Sequence, residues 1–546
     1  MNDGPLDTRP ARRHRPATVA LLLTVGILAT ACGSGGTTAS TAAGASSSAA
    51  TASGQAAAST ASLAPDAAKN TVVVMQGVDA NTLDPAFTNS VPESNVLINV
   101  MDTLVTFDDK EQLAPDLATS WKNINPTTWE FKLRQGVTFQ DGEPFNADAV
   151  KYTFDRLGDP TLKSPNSTLK QLDYAGVKIV DPYTIDVLTK TPQPLVPYYL
   201  AGGNGTFIVA PKWYSSHPES FLATNPVGTG PFKFVSWVKN QAITLQKWPG
   251  YWGTPAKLDT VVFKPEPEAA TQMDALKTGA ADITTVLTPD QLKTVNAFPD
   301  ATVKGFQSGR DIYIGISTQR PYLSDYRVRE AMNYAVDWNS IKTSLLGGYG
   351  SRMATVVVGH DVNPNAQAYP YDPAKAKQLL AAANFPMNQK LVMDTPVGRY
   401  VDDQQIAQVV ASDLQAVGLN VTVKPITWSV YVGEMVTQNK MDDLWLLGLG
   451  SSYTAQQNLN YVNPAFFLNI THWNDPTFVK DYTQLSQTFD PAQRQKLAYS
   501  LQELVNQQAP WIFLWQQWEF YGVNKALNYT PRSDEEIPLV NVGWHS

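Results

Sequence analysis

The chain has 546 residues, 43% of them hydrophobic, and a formal charge of −8 from 41 Lys and Arg against 49 Asp and Glu. That length predicts at least two lobes around separate cores, and the acidic balance, with a pI near 5.3, excludes the basic surface a nucleic-acid partner needs. A single cysteine, Cys32, excludes an intramolecular disulfide, and five histidines at 14, 217, 360, 472 and 545 lack the spacing of a zinc site, so neither metal nor cofactor is expected.

Arg12, Arg13 and Arg15 precede an apolar run over 17–31 that is too short for an ordinary membrane span. The run ends at Ala29-Thr30-Ala31-Cys32, which resembles a bacterial lipobox with Ala29 where leucine is more usual. On that resemblance residues 1–32 are a lipoprotein signal whose Cys32 becomes a lipid-modified N-terminus. The alternative is a secretory peptide cut nearby, with Cys32 left as a free thiol. Residues 33–64 are almost entirely Gly, Ser, Thr and Ala and read as a flexible tether with an r.m.s. reach of about 30 Å.

Residues 71–75 form a β-branched strand, 94–104 read as a helix and 105–107 as a strand. The stretch 113–157 follows as helix or turn, strand, tight turn, strand, loop, helix. Trp129, Phe131 and Leu133 alternate with polar residues, as in a half-buried strand, and Gly136 and Asp141-Gly142 punctuate a hairpin. Asn146 caps a helix with Asp148 in its first turn, and Val150, Phe154 and Leu157 share one face.

This stretch resembles the central motif of the family 5 extracytoplasmic solute-binding proteins, the peptide and nickel class of ABC importer receptors. Those share a run of the form LAPxLAxSW…WxFxLRxGVxFxDGxPxxAxDV, from which this chain departs at Asn146-Ala147-Asp148-Ala149-Val150. Other segments resemble the family too: Thr82-Leu83-Asp84-Pro85, the run Pro226-Val227-Gly228-Thr229-Gly230-Pro231-Phe232, Tyr251-Trp252-Gly253, the helix at 324–337, and the APWIFLWQ run starting at Ala509. The resemblance implies an α/β, two-lobed periplasmic-binding-protein type II-like (Venus flytrap) fold with an extra subdomain in the first lobe. It also implies lobe I over 65–310, lobe II over 311–509, and a return to lobe I over 510–546.

Asp181-Pro182 joins two strands at 177–180 and 183–188. Gly228 and Gly230 read as turn residues, because no phosphate-binding helix start follows them. A helix at 268–276 ends at Gly279, a strand follows at 282–286, and the apolar run 312–316 is the expected crossing into the second lobe. Asp372-Pro373, Asp475-Pro476 and Asp490-Pro491 each start a helix. A strand at 391–394, a helix at 403–417 with Ile406, Val410 and Leu414 on one face, and Val421 and Val423 in a strand form a βαβ unit. Strands at 510–515 and 518–523 are the expected return.

Ser236-Trp237-Val238-Lys239 and Lys277-Thr278-Gly279 match two short penicillin-binding patterns, but the S-D-N element between them is missing. With no G-x-S-x-G, H-E-x-x-H or P-loop, no enzyme is expected. A two-lobed receptor binds between its lobes and closes on a hinge. Arg399 lies between a strand and a helix start, where a guanidinium and a positive helix end suit a carboxylate. Its run resembles the family's GRYxxD, and the alternative is an arginine paired with Asp402 or Asp403.

By the resemblance, peptide-binding members hold the ligand's α-amino group with an aspartate in a W…DYPDP region. The corresponding stretch, 444–454, lacks it. Trp445 and Tyr453 remain candidates there, with core packing the likelier role for Trp445, and Tyr400 and Asn95 complete the set. The expected partners are a peptide or other small-molecule ligand, ABC permease and ATPase subunits, and the membrane through the lipid anchor, with the chain a monomer. Peptides lead, with oligosaccharides or another organic solute as the alternative ligand and a non-transport sensor or adhesion lipoprotein as the alternative role.

Overall fold

The computed structural model describes residues 70–545 apart from 89, 109, 167, 203–205, 437 and 451. The signal, Cys32 and the tether therefore lie outside the described residues. One large mixed sheet runs through both lobes, and its two long antiparallel strands, Ala301–Ile316 and Trp511–Asn524, belong to both. On the first-lobe side Thr71–Gln76 pairs in parallel with Thr260–Pro265 and with Ile283–Thr284. On the second-lobe side Leu444–Leu449 pairs with the first crossing strand, and Lys390–Val397 pairs in parallel with Leu444–Leu449 and Asn420–Thr427.

Both crossing strands are longer than the apolar runs predict. The first begins at Ala301, and the second is unbroken from Trp511 to Asn524. Register holds from Ala301↔Asn524 to Gln307↔Trp518, slips, and resumes at Asp311↔Gln516. The slip coincides with the polar runs Ser308-Gly309-Arg310 and Gln516-Gln517, which read as breaks in sequence although Ser308, Arg310 and Gln517 are buried, Ser308 and Arg310 on Glu535.

The extra subdomain is an antiparallel sheet of Ala118–Asn125, Thr128–Leu133, Thr184–Thr189 and Tyr174–Asp181, in that order. Asn146 caps Ala147–Gly158 by accepting from the Asp148 and Ala149 amides, and Val150, Phe154 and Leu157 pack with Phe131 and Leu133. Three expectations need correction here. In place of a helix or turn at 113–121 there are two strands, Leu113–Pro115, paired to Val105–Phe107, and Ala118–Asn125, with a bend at Asp116-Leu117 between them, and the hairpin after Gly136 shrinks to a single Thr138–Pro144 bridge. The helix expected at 94–104 forms as Val91–Leu97, because Pro92 starts it early.

Gly228 and Gly230 serve backbone approach. A Cβ on Gly228 would stand 2.4 Å from the Val100 carbonyl oxygen, and the Gly230 amide donates to that oxygen at 2.9 Å. The Gln140 amide closes the same knot by donating to the carbonyls of Val100, Gly230 and Phe232 at 3.1, 3.2 and 2.8 Å. Gly228→Ala is thus expected to destabilise by about 1–3 kcal/mol, read as a lower midpoint in urea. An unchanged midpoint would show that the two segments are not so close.

In the second lobe Ile406, Val410 and Leu414 of Asp403–Ala416 pack on Leu391, Met393, Val421, Leu444 and Leu446. All three Asp-Pro starts cap as expected, the Asp372, Asp475 and Asp490 carboxylates accepting from backbone amides of their own first turns.

Candidate ligand-binding cleft

The strand Lys390–Val397 ends at Gly398, whose φ of 69° only glycine adopts freely. The Asp403 carboxylate then gathers the amides of Arg399 at 2.8 Å, Gln404 at 2.8 Å, Tyr400 at 3.2 Å and Gly398 at 3.3 Å. Asp403 is therefore spent on the helix start and does not pair with the Arg399 side chain. The guanidinium carbon stands 5.0 Å from the Tyr400 ring centre and 5.3 Å from that of Trp428, within cation–π range. Among the described residues it makes no hydrogen bond or ion pair. Burial, with nearby Arg310 adding repulsion, lowers its pKa against the pull of Tyr400, Glu535 and Glu519. The Tyr400 hydroxyl donates to the Gly448 carbonyl at 2.9 Å, so Tyr400 offers its ring and not its hydroxyl.

Beside this pair lies a buried ion pair between residues 225 positions apart in sequence. Arg310, on the first crossing strand, donates to Glu535 through Nε at 2.9 Å and Nη2 at 2.6 Å. Ser308 adds a hydroxyl donor to the same carboxylate. Burial alone would raise the Glu535 pKa, but Arg310 and these hydrogen bonds hold it below its ordinary value. Asp311 keeps one oxygen on the Leu449 amide at 3.0 Å, its other oxygen is buried without a partner, and burial pushes its carboxyl up to about 7. Glu519, on the return strand, accepts from the Gln517 amide, and burial with the neighbouring Glu535 charge pushes it up to about 8.

Tyr453 joins the lobes. Its ring stacks on Phe107 with centroids 3.5 Å apart, and its hydroxyl donates to Asp534 at 2.7 Å. Asp534 is itself held by Arg532 at 2.6 Å. His360 reaches across in the same way to Glu111 at 2.7 Å, and Glu111 accepts from the Ser533 hydroxyl. The lobes are thus in contact through side chains of both.

Two sequence candidates lie elsewhere. Trp445 is fully buried, packed over Gly315 with Tyr313 and Trp511 in the core behind the sheet, because strand alternation turns it away from the junction. Asn95 is 3% exposed, its oxygen accepting from the Ile537 amide at 3.1 Å and its nitrogen facing Gln76 at 3.4 Å, so it fastens the C-terminal segment to the first lobe. Trp428, Arg310, Glu519 and Glu535 were missed. The available signal was the polar interruption in each crossing strand and the acidic run Asp534-Glu535-Glu536, which locally resemble solvated surface. Among the described residues no cluster of three or more His, Cys, Asp or Glu could hold a metal, and no helix is long and apolar enough to cross a membrane.

Comparison with known proteins gives consistent matches. The family model described as bacterial extracellular solute-binding proteins, family 5 Middle, matches residues 112–465. The glutathione-binding protein GsiB of Escherichia coli O6:K15:H31 is 28% identical over 466 residues, covering 82% of this chain and 88% of that protein. Among solved structures, Helicobacter pylori DppA in complex with the peptide STSA superposes with a TM-score of 0.79 at 23% identity, covering 87% of this chain and 98% of the other. Bacillus subtilis AppA in complex with a nonapeptide gives 0.78 at 21% identity, covering 87% and 99%.

Proposed function

Because the chain belongs to the bacterial extracellular solute-binding proteins of family 5, we propose that it is the receptor of an ABC importer, capturing peptides outside the membrane by closing its lobes and passing them to a permease and ATPase. The observation that carries the peptide reading is Arg399. A half-buried guanidinium with no hydrogen bond or ion pair among the described residues, lying on two aromatic rings at a helix start, is suited to a ligand carboxylate. Tyr400 and Trp428 form its platform, and Tyr453 with Phe107 closes over the junction. Relatives named for binding glutathione, STSA and a nonapeptide support this class. The protein acts as a monomer by capture and release, without covalent chemistry, and Cys32 carries the lipid that holds it at the cell surface.

Native mass spectrometry of the protein purified from membranes tests both parts. A retained or captured peptide mass from a mixed peptide and oligosaccharide pool is expected, together with a lipid-modified N-terminal Cys32. A sugar mass with peptides ignored would replace the ligand class, and an N-terminus without lipid would remove the anchor.

A further inference from the structure

The helix Tyr326–Ala335 serves two surroundings. Its Val328, Ala331, Met332 and Ala335 enter the core of the second lobe. Tyr326, Glu330 and Tyr334, spaced four apart, share another face. They line a cleft of about 660 Å³ that is bounded otherwise by residues 367–370 and 506–508. Its volume is that of a small-molecule site. Arg399, Tyr400 and Trp428 take no part in it.

Two walls of the cleft are perpendicular aromatic rings. Tyr334 and Tyr369 stand at 89° with centroids 5.0 Å apart, and the Tyr369 hydroxyl is anchored by donating to the Asn506 carbonyl at 2.7 Å. Tyr326 adds a third, more exposed ring. Between Tyr326 and Tyr334 on the helix face, Glu330 makes no hydrogen bond or ion pair among the described residues. The arginines beside it in sequence are spent elsewhere. Arg329 donates to the carbonyls of Leu323, Ser324, Gln508 and Ala509, and Arg327 is taken up by Asp325 and the Ala382 carbonyl. Partial burial holds the Glu330 carboxyl above its ordinary value, against the pull of Lys375.

An ionised carboxylate only accepts hydrogen bonds, and aromatic faces attract weakly hydrated cations. A sugar would instead favour one flat platform flanked by donors and acceptors together. We propose that this cleft is a second ligand site, separate from the one between the lobes, which binds a small organic cation of the alkylated-ammonium class against Tyr326, Tyr334 and Tyr369 with Glu330 as counter-charge. The site does not depend on what the cleft between the lobes captures.

Calorimetric titration of the purified protein with choline tests this, beside 3,3-dimethylbutanol, which has the same shape without the charge, and maltose. Saturable choline binding is expected, with the neutral analogue weaker by about tenfold or more. Glu330→Gln should weaken choline by about tenfold or more. Tyr326 is 46% exposed, so its replacement does not endanger the fold. Tyr326→Ala should weaken choline by about two- to fivefold, and Tyr326→Phe, which keeps the ring, should bind as the wild type does. Equal binding by Glu330→Gln would place choline elsewhere and overturn the proposal. Equal binding of the neutral analogue would reduce the site to an apolar cleft and overturn it too. Binding of maltose with choline ignored, or no binding of choline at all, would also overturn it.

Discussion

Arg399→Ala is expected to weaken binding of a carboxylate-bearing peptide by about 30-fold to several thousand-fold, the range set by about 2–5 kcal/mol for removing one partner of a buried charged hydrogen-bonded pair. The variant should fold normally. No described residue hydrogen-bonds to the guanidinium, and the local backbone is held by Asp403 through the amides of residues 398–400 and 404. Arg399→Lys should fall between, because an ammonium keeps the charge and loses the planar two-donor face. Calorimetric titration with a peptide captured by the wild type reads this directly. Unchanged affinity in Arg399→Ala would take Arg399 out of the site.

The second large effect is on stability. Glu535→Gln is expected to cost about 3–5 kcal/mol, since it leaves the Arg310 guanidinium buried and uncompensated. Arg310 and Glu535 side chains are only 4% and 8% exposed, so water cannot take over. The double variant Arg310→Met with Glu535→Leu should recover most of the loss, because it removes both desolvation penalties together. Urea unfolding of the three proteins provides the measurement, and a single variant as stable as wild type would show that the pair is solvated. The pH dependence follows from the direction of the shift. The Glu535 carboxyl lies below its ordinary 4.5 when folded, so the pair's contribution is present above about pH 4.5 and fades as pH falls through the depressed value.

These residues also bear on motion. Tyr453 and His360 reach from the second lobe to Phe107, Glu111 and Asp534, while Arg310 and Glu519 sit on the strands that cross between lobes. Lobe closure in such receptors turns on a few residues of the connecting strands.

Local chemistry carried much of this protein in its sequence. The Asn146 cap, the three Asp-Pro helix starts and the Ile406, Val410 and Leu414 face each rest on neighbours a few residues apart, so periodicity and punctuation suffice to find them, whereas the crowding of Gly228 against Val100 does not show in sequence. The position of Arg399 was legible for the same reason, since a strand end and a helix start are both local. Its freedom from Asp402 and Asp403 was not legible, because it depends on which amides the Asp403 carboxylate collects.

What only the tertiary structure decided is how distant charges pair and which way a buried ring points. Arg310 meets Glu535 across 225 positions, and a polar residue inside a strand looks the same in sequence whether it faces water or a junction between lobes. The face on which Trp445, already the likelier core residue by sequence, packs was set by its strand's pairing, and Glu519 makes no ion pair among the described residues. Both outcomes arise from contacts between segments whose separation in sequence carries no period to read.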